Sequence, residues 1–467
     1  MPEQELGLEK LKGQTGDAHE VKERSKSWKY GTALDLTVLL AISVLSTVIL
    51  IRDLPIRLCD IISDECLVAH CKFFLNPQVF VQDVEFQSWA RVALSSMLNW
   101  LPAVLCQVSG LEPEKLYMPA LILQNSLIVT ATYLLSRKIT QGSSESRKVS
   151  LLAAAFTMLW HPQWWNSSLI YNLDWMPYSN WMALAFLLLS FVFTLEQRKW
   201  LANFLIVIGT LIHPILGCLA SGLTSLHRIR EATKERKKSV FLESAITTGI
   251  TASLVFIPIH FSTVGLEFAP DTDRLSVLAI NIHATPWGNH YPYGISSFVA
   301  SLIFAGLFSV IALLPCPGKP KDSRGQNLTS SAVILAFSAT AIHCLAAFLK
   351  LAAVQNLIIS RSTILLLALC IPLVMWQVWT VLAKGSIAAG LTILTFLFAA
   401  SPTSLLALTM TVASQRLRDI GKAPMLSVGL QGIAAGISTI ILCYHTPLKE
   451  VVLQQILNPQ WAQCCRK

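Results

Sequence analysis

Charge is what this chain has least of. Only 13% of its 467 residues are Asp, Glu, Lys or Arg, where a soluble domain carries about a quarter. Hydrophobic residues make up 53% and the mean hydropathy is +0.56. A soluble globular domain is therefore excluded, and the expectation is an all-α polytopic membrane protein. The net charge of +9 does not mark a nucleic-acid surface, and no nucleic-acid partner is expected. The cations gather in short segments between apolar runs, as they do in cytoplasmic loops. A cleavable signal peptide is not expected either, because residues 1–30 (with EKLKGQTGDAHEVKERSKSWK) are too long and too acidic for its basic leader. They read as a disordered cytoplasmic tail. No internal repeat is evident.

The eleven cysteines make no paired zinc motif. Cys59, Cys66 and Cys71 have the spacing C-x6-C-x4-C with His70 beside them, a weak metal pattern. In an oxidising compartment one disulfide among the three is an alternative. Cys106, Cys218, Cys344 and Cys370 sit in apolar runs and read as small core residues. Cys464 and Cys465 are either acylated or incidental.

What is present is a series of apolar runs. A span needs about 20 such residues. The first covers 33–51, with the N-terminus inside. A large outer loop follows at 52–115, and its segment 86–108, with Trp89, Arg91, Asn99, Trp100 and Pro102, reads as helices lying at the interface. Further spans fall at 117–136, 149–162, 180–195, 241–261, 294–315, 330–352, 363–382 and 424–443. The basic stretches EQRK and HRIREATKERKK both belong inside, yet only residues 200–226 separate them. One full span cannot start and end on the same side. Two short helices meeting at His213–Pro214 resolve this, since Pro ends a helix and irregular backbone at membrane depth needs a protein or water-filled surround. Residues 386–415 form a second short pair, broken at Ser401–Pro402. The expectation is 11–13 membrane helices within 31–443, followed by a tail at 444–467.

This topology sorts the polar residues. The inner loops hold Lys and Arg. The outer side collects Asp83, Glu85, His161, Asp174, His213, Glu267, Asp271, Asp273, His283, His290 and Arg361, together with Trp-rich segments such as WHPQWWNSSLIYNLDWMPYSNW. Carboxylates hold a divalent ion or take a proton from a hydroxyl. Aromatic faces stack on sugars. An Arg at the surface suits a phosphate. Each residue also has a plainer reading. Asp83 and Glu85 cap the helix that follows. His213 is a core histidine, and His283 and His290 are solvated. Arg361 is an interfacial anchor reaching for headgroups, and the Trp residues form a belt.

The plan as a whole resembles the glycosyltransferase C superfamily. It has many spans, a large first outer loop with interfacial helices and an acidic motif after the first span, here Asp83-Val-Glu85. It is also similar to uncharacterised bacterial members with a His-Pro break in a mid-chain helix (His213–Pro214), a histidine-bearing outer loop (His283, in INIHATPW) and an Arg opening a late helix (Arg361). The resemblance implies sugar transfer from a polyprenyl-phosphate donor to an acceptor on the outer face, from a bacterial inner membrane. Asp83 would be the general base and Glu85 its assistant, directly or through a divalent cation such as Mg or Mn. His213, His283, Arg361, His161 and Trp287 would bind substrate. Two readings of other classes stand beside it. One is a transporter, with His343 and Lys350 as its buried ionisable groups. The other is a non-catalytic assembly subunit.

Overall fold

In a computed structural model the protein is described over residues 32–48, 67–76, 78, 96–159, 179–235, 239–263, 295–315, 323–349, 351, 359–384, 387–398, 402–421 and 423–444. Those residues are almost entirely helical, with no strand among them. Asp83, Glu85, His161, His283 and Trp287 lie outside them, as do the two expected tails, Cys59, Cys66 and Lys350.

The helices start with α1 (Thr32–Val48) and two short helices, α2 (Leu67–Leu75) and α3 (Met97–Ser109). Then come α4 (Pro113–Ile139), α5 (Ser146–Leu159) and α6 (Ser179–Leu195). The expected broken pair follows as α7 (Lys199–Ile212) and α8 (Pro214–Glu235). Next are α9 (Ser239–Thr263), α10 (Ile295–Leu313), α11 (Arg324–Phe348), a 3-10 turn (Ile359–Arg361) and α12 (Ser362–Leu382). The chain closes with α13 (Ile387–Phe398), α14 (Pro402–Asp419) and α15 (Pro424–Tyr444). Among the described residues, four helices are long and apolar enough to cross a membrane: Pro113–Ile139, Arg324–Phe348, Ile359–Leu382 and Pro424–Ile441. Others, including Thr32–Val48, Asn180–Leu195 and Lys199–Ile212, are apolar but shorter.

Hydrophobicity alone does not press helices together when lipid is equally apolar, so packing must come from shape and a few polar contacts. Helix α12 is the post. Its sequence STILLLALCIPLVMWQVWTVL is apolar all round, and it is buried from Ser362 to Val378 without a break. It packs against α4, α5, α8, α10, α11, α13 and α14. Aromatic rings lock three of the surrounding helices together: Phe396 of α13 stacks on Phe156 of α5, with centroids 5.6 Å apart, and lies 6.4 Å from Phe308 of α10. Hydroxyls inside the bundle mostly satisfy themselves on the preceding turn, as Thr157, Thr194, Thr210 and Ser309 do. A few cross to a neighbour. Asn125 Nδ2 donates to Thr47 Oγ1 at 3.1 Å, fixing α1 to α4.

Most of the ion pairs among the described residues lie at one end of the bundle. Asp35 of α1 takes both Nε (2.9 Å) and Nη2 (2.7 Å) of Arg147 of α5, and Tyr133 of α4 donates to it at 2.7 Å. Glu145 is bonded by the Trp379 indole at 3.0 Å and paired with Lys148. Lys199 and Arg228 share Glu243. Lys384 and Arg416 share Asp419. These pairs tie α1 to α5, α5 to α12, α7 and α8 to α9, and α12 to α14.

Candidate functional site

The opposite end is built around the α7–α8 break. Arg228, fifteen residues into α8, donates to Asn203 near the start of α7 at 2.9 Å. The two helices are therefore side by side at their outer ends and meet at His213. This is a hairpin whose feet stand among the paired charges. Helix α7 has 14 residues, a rise of about 21 Å. A hydrocarbon core is about 30 Å thick. An arm of that length is shorter than such a core is thick.

Local sequence explains the sharp turn. His213 leaves the helix with φ −137° and ψ 97°, while its N–H still bonds Gly209 O at 2.8 Å. Pro214 then opens α8 at a position where the missing amide costs nothing. Close approach of the two arms depends on Gly217: a Cβ there would overlap the backbone and side chain of Thr210. Gly209 does the same against Leu187 of α6, whose side chain would stand 2.6 Å from an added Cβ.

The hairpin tip is held from two sides. Ser96, at the N-cap of α3, donates its hydroxyl to the Ile212 carbonyl. That carbonyl is one of the acceptors a helix leaves without an internal partner at its C-terminus. From the other side Arg361 places Nη1 2.8 Å from His213 Nε2. The two residues are 148 positions apart, and both are buried, His213 6% and Arg361 9% exposed. Arg361 therefore does not reach for headgroups as an interfacial anchor would. It points into the protein.

This pair has a hydrogen-bonding conflict. The guanidinium only donates, so Nε2 must present its lone pair. The N–H of Leu216 faces Nδ1 at 3.2 Å and also needs a lone pair. A neutral imidazole has one lone-pair nitrogen, not two. One of the two donors is thus left facing an N–H, and a negatively charged oxygen between them would satisfy both. The surroundings favour the same kind of ligand. His213 directly precedes α8 and Arg361 directly precedes α12, so two helix N-termini converge with their positive ends at this point.

Further residues frame the site. His343 of α11, fully buried, has Nδ1 3.0 Å from Ser360 Oγ. Ser360 O in turn accepts from Thr363 Oγ1 at 2.7 Å. These bonds fix the turn that aims Arg361. Ser362 Oγ, next in the chain, and Thr340 Oγ1, one turn from His343, are buried with no hydrogen-bond partner. Among the described residues no group of three metal-ligating side chains is present.

No protein-family model, curated protein or solved structure matches this chain.

Of the residues selected from sequence, the structure brings His213 and Arg361 together. Asp83, Glu85, His161, His283 and Trp287 fall outside the described residues. Sequence reasoning assigned His343 only to a transporter and did not select Ser96, Thr340, Ser360 or Ser362. Single serines and threonines in apolar helices carry no periodic signal. Only the burial of Ser96, Thr340 and Ser362 and the bond of Ser360 to His343 distinguish them.

Proposed function

We propose that the protein is a membrane-embedded glycosyltransferase that moves a sugar from a polyprenyl-phosphate donor to an acceptor hydroxyl. The observation that carries this reading is the His213–Arg361 pair, set at two helix N-termini on the tip of a hairpin too short to cross the bilayer. A phosphate on a lipid tail is an anion delivered at that depth. Arg361 offers a planar pair of donors that matches phosphate oxygens, and the His213 conflict is relieved when such an oxygen arrives.

In this reading the charge-paired end faces the cytoplasm, as the positive-inside rule prefers, and the hairpin tip faces outward. The bundle is the 11–13-helix glycosyltransferase C arrangement, in a bacterial inner membrane. Asp83 takes the proton of the acceptor hydroxyl, with Glu85 assisting, directly or through a divalent cation. The acceptor oxygen forms a bond to the anomeric carbon as the bond from that carbon to the phosphate oxygen breaks. The leaving group is polyprenyl phosphate, and Arg361 and His213 stabilise the charge it gains. Ser96 lends support, since it anchors to the hairpin tip the outer loop that carries both carboxylates.

The test uses purified protein in nanodiscs with a short-chain polyprenyl phosphate. Arg361→Gln should weaken binding at least tenfold, while Asp83→Asn should bind normally and lose transfer. Equal binding by Arg361→Gln and wild type would overturn the reading. One observation favours a second reading, an anion transporter: half-helix N-termini at a mid-membrane break are where transporters hold anionic groups. It predicts that Arg361→Gln abolishes uptake while Asp83→Asn and Glu85→Gln have no effect.

A further inference from the structure

Cys71 and Cys106 are far apart in sequence and meet in the fold. Cys71 lies on α2 and is 0% exposed; Cys106 lies on α3 and is 3% exposed. The two helices pack against each other, and the Cys106 thiol neighbours the Cys71 thiol. Both are thiols in this structure. A disulfide joins Cα atoms about 4.4–6.8 Å apart, and neighbouring thiols on two packed helices are placed to form one. Cys59 and Cys66, which the spacing pairs equally well with Cys71, lie outside the described residues. Only tertiary contact puts Cys106 forward as the partner.

The location favours oxidation. Helix α3 begins at Ser96, whose hydroxyl is bonded to Ile212 at the hairpin tip. The two cysteines therefore belong to the layer that ties to the tip, away from the paired charges. If that end faces outward, the pair folds in a compartment where disulfides form and persist. Two neighbouring contacts hold the helices in place. Lys72, beside Cys71, pairs with Glu114 of α4. Gly110, with φ 70°, ends α3 by returning its N–H to Cys106 O at 2.8 Å.

We propose that Cys71 and Cys106 form an intramolecular disulfide as the outer loop folds. One thiolate attacks the disulfide of a dithiol–disulfide oxidant protein, releasing one of its sulfurs as a thiol. The second thiolate then attacks the mixed disulfide and releases the other. The two cysteines lose two protons and two electrons, and the oxidant's disulfide becomes two thiols. Oxidation comes before packing, because the packed sulfurs are closed to a large oxidant. The same burial afterwards shields the bond from reductants. The loop it closes carries both Asp83 and Glu85, so the bond fastens the two ends of the acidic segment to each other near the hairpin tip.

The test is thiol mapping on the full-length protein in native membranes. Free thiols are blocked with N-ethylmaleimide in denaturant without reductant, and the digest is read by mass spectrometry. The expected result is a linked Cys71–Cys106 peptide, two hydrogens lighter than its separate thiol peptides, with both sites alkylated only after reduction. Alkylation of both without reduction, or Cys71 linked to Cys59 or Cys66, overturns the proposal. Cys71→Ser gives an independent sign. If the bond exists, the variant gains a labelled thiol at Cys106; if it does not, the variant loses one labelled thiol.

Discussion

The two ends of this bundle handle buried charge in opposite ways. At one end, Asp35 takes a two-point grip from Arg147 and a third bond from Tyr133, and Glu243 and Asp419 each serve two cations. At the other, Arg361 meets an imidazole 2.8 Å away on a hairpin tip where a second N–H competes for the same ring. Pairing of opposite charges closes a structure, because each partner offsets the other's desolvation. At the His213 ring, two donors compete for a single lone pair. It is a local conflict of the kind found where a ligand completes the arrangement. The first end is framework, and the second holds the candidate site.

The widest expected difference between the ends is in function. Arg361→Ala should lower polyprenyl-phosphate affinity by about 10- to 100-fold, the worth of one or two charge-assisted hydrogen bonds of about 1.5–3 kcal/mol in total. Arg361→Lys should recover only part of it, since a point charge cannot give the forked contact. A titration with the variants in nanodiscs measures both, and full affinity in Arg361→Ala would erase the contrast.

Next in size is the geometry that makes the tip. Gly217→Ala forces a Cβ onto Thr210, whose backbone cannot move aside without opening the hairpin. A loss of about 1–3 kcal/mol is expected, read as a lower midpoint of thermal unfolding in detergent. The double change Gly217→Ala with Thr210→Gly should recover little, because the overlap includes the Thr210 backbone.

At the paired end, Arg147→Ala leaves Asp35 with Tyr133 and without its cation. The guanidinium is 52% exposed and the carboxylate only 6%, so solvent screens part of the interaction. The expected cost is about 1–2 kcal/mol of stability, with no change in lipid binding. A change in binding without one in stability would reverse the roles assigned to the two ends.

The smallest effect is at the rim of that end. The Lys148 ammonium beside Glu145, helped by the Trp379 indole, holds the Glu145 carboxyl below its ordinary value of 4.5 despite an opposing desolvation effect. A depressed folded-state pKa means the contribution is present above the unfolded value and lost as pH falls through the lower folded one. The difference in fluorescence between wild type and Trp379→Phe should therefore be constant from neutral pH down to about 4.5 and change only below it. A change near neutral pH would show that the carboxylate is not held in this way.

Much of this architecture was legible in the chain. The apolar runs placed α4, α6, α12 and α15 within a few residues of their bounds, because a helix in lipid must satisfy its own backbone and show it as an unbroken apolar stretch. The α7–α8 hairpin was legible from the clash of two basic stretches only 27 residues apart, and its tip from Pro214. His213 and Arg361 were selected separately, the first as a helix break and the second as a helix start. Nothing in the order of residues said they touch. Cys71 is a parallel case, since Cys59 and Cys66 lie outside the described residues. Spacing favours neighbours such as Cys66, whereas helix packing brought up Cys106.

Composition and hydrophobic pattern, then, determined that the described residues are almost entirely helical, that some of their helices are long and apolar enough to cross a membrane, and roughly where those helices begin and end. Those properties follow from each segment's own free energy of transfer and from the local rules of Pro and Gly. Only the tertiary structure decided that Arg361 would face His213, that Ser96 would hold the hairpin tip, and that two thiols from separate helices would meet. Such contacts depend on how helices of similar apolarity pack side by side. In lipid that choice rests on small residues such as Gly209 and Gly217 and on single polar atoms, whose effect appears only when the helices are together.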